Sequence, residues 1–426
     1  MGIRLLFGVA LLAINLASAQ ARDLSGTWAA ADPQLHMLKV RKSHGSYSGD
    51  LYNLGPERGG NLPLNGNHIS IIKIDGRRIW FSIDRTGVSF IGLLATDGHS
   101  IAGKWDAYGQ VQPLTFNRVR SAAAWTLDPS PHKILFVSVE KDVRLEVLDW
   151  GGKGSPLIFI PGLGGTAHVF DDFAPRFITS HHVYAITRRG SGSSDMPPPS
   201  IENYDADRLG DDLLAVIDKL KLDRPVLIGH SIAGEELSSI GTRHPEKISA
   251  LVYMEAGYGY AFYDPKVAAL GISWDGFLSN ADSLRRNLIR LAGAPADQAG
   301  AIVREIGAAL PVLQSGMAHA DFWPVPDAPS PLQRVETAVL LGEREYGPAK
   351  LPTLDIRVEP TDCTTDCDST FAKLRLSADL GQANAFAAAH PGSRQIRISG
   401  ADHSIFISNE VQVEDAINAF LSTVPE

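Results

Sequence analysis

Apolar residues follow two different patterns along this chain. From Asp23 to about Arg120 they come in short alternating runs such as Ile79-Trp-Phe-Ser-Ile83 and Val88-Ser-Phe-Ile-Gly-Leu-Leu94, punctuated by Asp75-Gly76, Thr86-Gly87 and Asp97-Gly98. Alternation of period two separates the faces of a strand, and these dipeptides are hairpin turn signals, so this part predicts a small all-β barrel or sandwich. After a Pro-bearing linker, Ala122 to Pro131, the pattern changes. Strands are predicted over Ile134 to Val139, Val143 to Leu148, Pro156 to Ile160, His182 to Thr187 and Ile248 to Met254, with a helix from about Asp205 to Leu220. Buried strands alternating with helices predict a mostly parallel sheet covered on both faces. Between Glu255 and about Leu351 the alternation gives way to a long helical insertion. It carries the aromatics Tyr258, Tyr260, Phe262, Tyr263, Trp274, Phe277, Phe322 and Trp323, which line a pocket or form the insertion's own core. Sheet pattern resumes at Thr353 to Val358 and Arg394 to Ile398, and a closing helix spans about Val411 to Leu421.

The run Pro225-Val-Leu-Ile-Gly-His-Ser-Ile-Ala-Gly234 reads as a strand, a tight elbow and a helix start. Gly229 and Ala233, two places either side of Ser231, leave room for the strained turn that lifts a serine hydroxyl clear of a sheet. Ser231 is therefore the candidate nucleophile. The usual second glycine is Ala233 here, with Gly234 one place late. A serine hydroxyl needs a base to take its proton and a carboxylate to orient that base. Of the 13 histidines, His403 in Ile398-Ser-Gly-Ala-Asp-His-Ser404 fits best, because it follows the last predicted strand. His230 reads as a filler that shapes the elbow. His168, after the glycine-rich turn Pro161 to Gly165, is a candidate pocket residue, with a solvated loop position as the plainer reading.

Pro161-Gly-Leu-Gly-Gly165 after a strand, Arg189-Gly-Ser-Gly-Ser-Ser-Asp195, Gly229-His-Ser-Ile-Ala-Gly234 and a late Asp402-His403 together resemble the α/β-hydrolase superfamily over roughly residues 133 to 426. Ser25-Gly-Thr-Trp28 and Ala102-Gly-Lys-Trp105 are similar to pieces of lipocalin-like β-modules ahead of some exported hydrolases. The resemblance implies an all-β module over 20–122 and an α/β-hydrolase domain over 123–426 with a lid at about 257–350. It also implies a serine hydrolase acting on a small ester or acyl substrate, with no metal and no cofactor. The matching oxyanion donors are the backbone N–H groups of Leu163 and Ile232. Gly162 and Gly164 let the backbone approach a substrate that His168 and Tyr258 also contact. For the acid, Glu255 ends its strand at the carboxyl edge, a position similar to the acid of some haloalkane dehalogenases. Most serine members place it after the seventh strand, which here points to Asp362 and then Asp366. Carboxylic ester hydrolysis leads. Peptidase and carbon-carbon hydrolase are the alternatives within the scaffold, and a binding protein on that scaffold is the rival outside it. Dehalogenase or epoxide hydrolase is disfavoured, because those members carry a carboxylate where Ser231 stands.

Composition narrows the partners. The 426 residues carry a net charge of -9 and show no basic stripe, which disfavours nucleic acid. Residues 1–19 run from Arg4 through Leu5 to Leu16 and end in Ala17-Ser-Ala19, as a secretory signal peptide does. The mature chain is expected to begin near Gln20, with no transmembrane segment, and to be exported to the periplasm or secreted. In an oxidising compartment the two cysteines, Cys363 and Cys367, are expected to form a local disulfide.

Overall fold

The computed structural model describes residues 23–30, 36–43, 45–53, 67–107, 110–119, 130–262, 264, 287, 291, 295, 298–307, 330–359 and 370–425. The first part is antiparallel throughout: β1 Gly26–Ala30, β2 His36–Ser43, β3 Ser46–Asn53, β4 Asn67–His68, β5 Ile71–Asp75, β6 Arg78–Ile83, β7 Val88–Leu94, β8 Ser100–Ala107 and β9 Gln110–Arg118. They lie in the order β4-β3-β2-β1-β9-β8-β7-β6-β5. β4 and β5 are two halves of one strand broken near Ser70. β4 pairs with β3 and β5 pairs with β6, and Ile69 N donates to Gly49 O at 2.9 Å. The sheet thus nearly closes into an eight-stranded barrel, leaving little free edge. Alternation decides which side chains fill it: β6 points Ile79, Phe81 and Ile83 inward, where they meet Trp28, Phe90, Trp105 and Phe116. Gly76, Gly87 and Gly98 all have positive φ, as the hairpin turns require.

The second sheet contains β10 Lys133–Glu140, β11 Val143–Gly151, β12 Pro156–Ile160, β13 His182–Ile186, β14 Val226–His230, β15 Ala250–Met254, β16 Thr353–Val358 and β17 Arg394–Ile398. Its order is β10-β11-β13-β12-β14-β15-β16-β17, parallel from β13 to β17 and antiparallel at β10 and β11. This is the mostly parallel sheet that the alternation of buried strands and helices predicts. α1 Ala206–Leu220 and α2 Gly234–Arg243 cover one face with Leu209, Leu213, Val216, Leu237 and Ile240. Asp205 starts α1 by accepting from Arg208 N at 2.8 Å. The opposite face is covered by Phe170, Phe173 and Phe177 and by a C-terminal helix over Glu410–Leu421 that buries Val413, Ile417 and Phe420.

Within the insertion after β15, α3 Pro331–Leu341 starts at a capping box between Ser330 and Gln333. The barrel touches it there, Leu332 N donating to Arg85 O at 3.2 Å. α4 Thr370–Ala389 then leads into β17. Phe262 packs against Phe386 of α4 and against His390, so this aromatic joins the domain core and not a core of the insertion's own. Tyr263, Trp274, Phe277, Phe322 and Trp323 lie outside the described residues, as do residues 1–19, Asp362, Asp366, Cys363 and Cys367.

Candidate active site

β14 and β15 run parallel with His230 opposite Met254, so Ser231 and Glu255 emerge side by side at their carboxyl ends. Both have left-handed backbones, φ 54° at Ser231 and 49° at Glu255. A non-glycine residue pays on the order of 1–2 kcal/mol there, so the surrounding packing must hold both turns in place. The neighbours show how. A Cβ at Gly229 would meet Leu237 Cδ1 at 2.8 Å, and one at Gly234 would stand 2.1 Å from the Ala256 carbonyl oxygen. Ala233 has an ordinary helical φ of -59°. The displaced glycine of the motif therefore sits where the second turn crosses the elbow.

His403, on the loop after β17, completes a chain of contacts. Its Nε2 lies 2.9 Å from Ser231 Oγ and its Nδ1 lies 3.2 Å from Glu255 Oε2. Glu255 is buried, and its other contacts are the Tyr258 hydroxyl, donating to Oε2 at 2.6 Å, and Val358 N, donating to Oε1 at 2.6 Å. Burial alone would push this carboxyl up, but the bonds from His403, Tyr258 and Val358 bring it below its ordinary value. Tyr258 moves the other way, raised by burial and by the adjacent carboxylate. Its hydroxyl is thus bonded to Glu255, while its ring is half-buried. Below this turn, Arg357 pairs with Asp355 at 2.7 Å and donates to Gly257 O at 2.5 Å, fixing residues 255–258.

His230 does more than fill the elbow. Its Nε2 donates to the backbone oxygen of His403 at 2.8 Å, which ties the loop carrying that imidazole to the end of β14. Burial, with the neighbouring His403 charge second, lowers its pKa to about 4 from 6.5. Its proton is thus bound more tightly in the unfolded chain, and stability is lost as pH falls from about 6.5 to about 4. The loss amounts to about 3 kcal/mol. Melting temperatures measured across this window are expected to fall on acidification with a shallower slope in His230→Gln, whose amide nitrogen reaches the same carbonyl without titrating. Equal slopes would assign the acid lability elsewhere.

The glycine-rich turn stands against the serine: a Cβ on Gly162 would come within 3.0 Å of Ser231 Cβ and of His230 Nδ1. Gly164 has φ 70°, and Gly165 N closes the turn on Gly162 O at 3.1 Å. Arg188 grips its other side, donating to Gly162 O at 3.2 Å and Pro161 O at 3.1 Å, while its Nε bonds Glu236 Oε1 at 2.6 Å. A trans peptide is planar, so holding the Gly162 carbonyl toward Arg188 points the Leu163 N–H the opposite way. Ile232 lies in the first turn after Ser231. No motif flagged Arg188, because its partners come from two other segments of chain, the turn at Pro161–Gly162 and the helix carrying Glu236.

His168 is neither solvated nor available to a substrate. It is 1% exposed, with Nδ1 3.2 Å from Asp171 Oδ2 and Nε2 3.6 Å from Glu146 Oε1. Burial alone would lower its pKa, but the two carboxylates outweigh it and carry the ring up to about 9.

Residues 155–305 match the family described as alpha/beta hydrolase fold. A protein of Mycobacterium phage D29 described as a non-heme haloperoxidase is 30% identical over 115 residues, covering 26% of this chain and 40% of that protein. Epoxide hydrolase A of Mycobacterium tuberculosis is 30% identical over 111 residues, covering 26% of this chain and 34% of its own length. This chain therefore spans less than half of each of these curated relatives. Among solved structures, E-2-(acetamidomethylene)succinate hydrolase aligns with 68% of this chain and 100% of its own at 20% identity and a TM-score of 0.44.

Proposed function

We propose, from the premise that the C-terminal part of this chain has the α/β-hydrolase fold, that the protein is a serine hydrolase of carboxylic esters. The observation that carries this reading is the relay from Ser231 Oγ to His403 Nε2 at 2.9 Å and from His403 Nδ1 to Glu255 at 3.2 Å. Ser231 Oγ bonds to the ester carbonyl carbon as His403 Nε2 takes the hydroxyl proton, and the carbonyl electron pair moves onto oxygen. The resulting oxyanion is met by the Leu163 and Ile232 N–H groups, and Glu255 offsets the imidazolium charge. His403 then passes its proton to the departing alkoxide oxygen, which leaves as the alcohol. Water repeats the sequence on the acyl-serine, releasing the carboxylic acid. The related epoxide hydrolase bears on fold more than on chemistry, since this chain offers a hydroxyl at residue 231. Labelling by a fluorophosphonate, lost in Ser231→Ala, and hydrolysis of p-nitrophenyl esters of graded chain length test the proposal. A folded protein that neither labels nor turns over any ester would overturn it.

Export belongs to the same proposal, with the barrel as a structural or docking module. The signal-like residues 1–19 support an exported product beginning near Gln20, and an oxidising compartment supports a Cys363–Cys367 link. Intact-mass analysis of the secreted chain is expected to give that first residue, and alkylation to find no free thiol until reductant is added. Two thiols reactive in the native protein would refute the disulfide.

A further inference from the structure

A second cluster of chemically active side chains lies outside the serine relay. His132, just before β10, meets His168 and Asp171, which follow the glycine-rich turn, and Glu146 of β11 lies behind His168. One nitrogen of each ring and a carboxylate oxygen of Asp171 all fall within 4.8 Å of one another. His132 Nδ1 is 3.3 Å from Asp171 Oδ1 and His168 Nδ1 is 3.2 Å from Asp171 Oδ2, so each ring faces its own carboxylate oxygen. The side chains of His132 and His168 are 0% exposed, and those of Asp171 and Glu146 are 1% exposed.

Two features distinguish this cluster from a simple ion pair. Charged N–H to carboxylate bonds run about 2.7–2.9 Å, shorter than either distance here. One nitrogen of each ring and an Asp171 oxygen, within 4.8 Å of one another, leave room for a cation, whose tetrahedral donors stand about 3.3 Å apart once closed on it. The second feature is charge. Two buried carboxylates demand compensating positive charge, which one divalent cation supplies in full. Glu146 then fits an outer role. Held by the Thr187 hydroxyl at 2.8 Å, its carboxylate stands 3.6 Å from His168 Nε2, the side on which a proton leaves the Nδ1 lone pair for a metal.

We infer that His132, His168 and Asp171 form a structural site for a divalent cation of the zinc class, with Glu146 orienting His168. The site is independent of the serine chemistry. It fastens the segment entering the second domain onto the turn that follows the glycine-rich loop. Ser130 reinforces the same junction, accepting from Trp150 Nε1 at 2.7 Å and donating to Asp171 O at 3.0 Å.

The test uses the full chain, stripped with chelator and reloaded with Zn2+ or Co2+. Elemental analysis is expected to find about one equivalent per chain, with the intense visible bands of tetrahedral Co2+ and a melting temperature raised on the order of 5 °C by excess Zn2+. His132→Ala and His168→Gln are expected to lose stoichiometric metal, and Glu146→Gln to retain the site with about 10- to 100-fold weaker affinity. Folded wild-type protein that binds neither ion would overturn the site and leave an imidazolium–carboxylate network. Full binding retained by both histidine variants would also overturn it, moving the metal elsewhere, with Cys363 and Cys367 the first place to look. The wild-type measurement decides even if a variant fails to fold.

Discussion

Ser231→Ala is expected to lower ester turnover by at least about 10³-fold while the protein remains folded. The Oγ that lies 2.9 Å from His403 Nε2 is the only heavy atom removed, and the left-handed turn at residue 231 is held by Leu237, Ala256 and Gly162 around it. What activity remains would come from water attacking a substrate still bound and still polarised by the oxyanion donors. His403→Ala should fall to a similar level, and the double variant little further, because nucleophile and base act as one unit. Initial rates on a p-nitrophenyl ester, alongside melting curves, provide the comparison. More than a tenth of wild-type activity in Ser231→Ala would sink the serine mechanism.

Glu255→Gln is expected to be nearly as severe, with kcat down by about 10⁴-fold and KM and melting temperature little changed. The geometry says why an amide of the same shape fails. Val358 N is a fixed backbone donor to Oε1, so the amide oxygen of the variant stays there and its NH2 takes the place of Oε2. That NH2 faces His403 Nδ1, which must then accept a hydrogen bond and carry its proton on Nε2, the nitrogen that has to receive the proton of Ser231. The imidazolium formed on attack also loses its counter-charge. Asp362→Asn, at the alternative position, is expected to be mild. Should Asp362→Asn be crippled and Glu255→Gln nearly normal, the acid belongs after β16 and Glu255 serves only to anchor the turn at Tyr258.

Local signals in the chain were enough to find most strands. The period-two runs appear as β6 and β7, with their glycine turns before, between and after them, and the continuous apolar runs became the buried strands β12, β14 and β15. Whether the first part was a barrel or a sandwich stayed open, because closure depends on the break near Ser70 that lets one strand serve both β3 and β6. The displaced Gly234 was similarly unreadable. Its constraint is the carbonyl of Ala256, which arrives from the next strand.

The amino-acid order by itself determined what depends on neighbours a few residues apart: strand and helix periods, hairpin turns and the small residues flanking Ser231. Those are set by steric and solvation effects within one or two turns of chain. Tertiary structure alone decided which groups meet. His403 lies 172 residues from Ser231 and 148 from Glu255, and it is held by His230 from 173 residues away. Parallel strands ending in register put Ser231 and Glu255 at one level, and Arg188 and the His132–His168–Asp171 cluster likewise join segments that share no local spacing. The physical reason is that a side chain's direction at a strand end follows from sheet order, register and a left-handed φ, all of which come from packing across the whole domain.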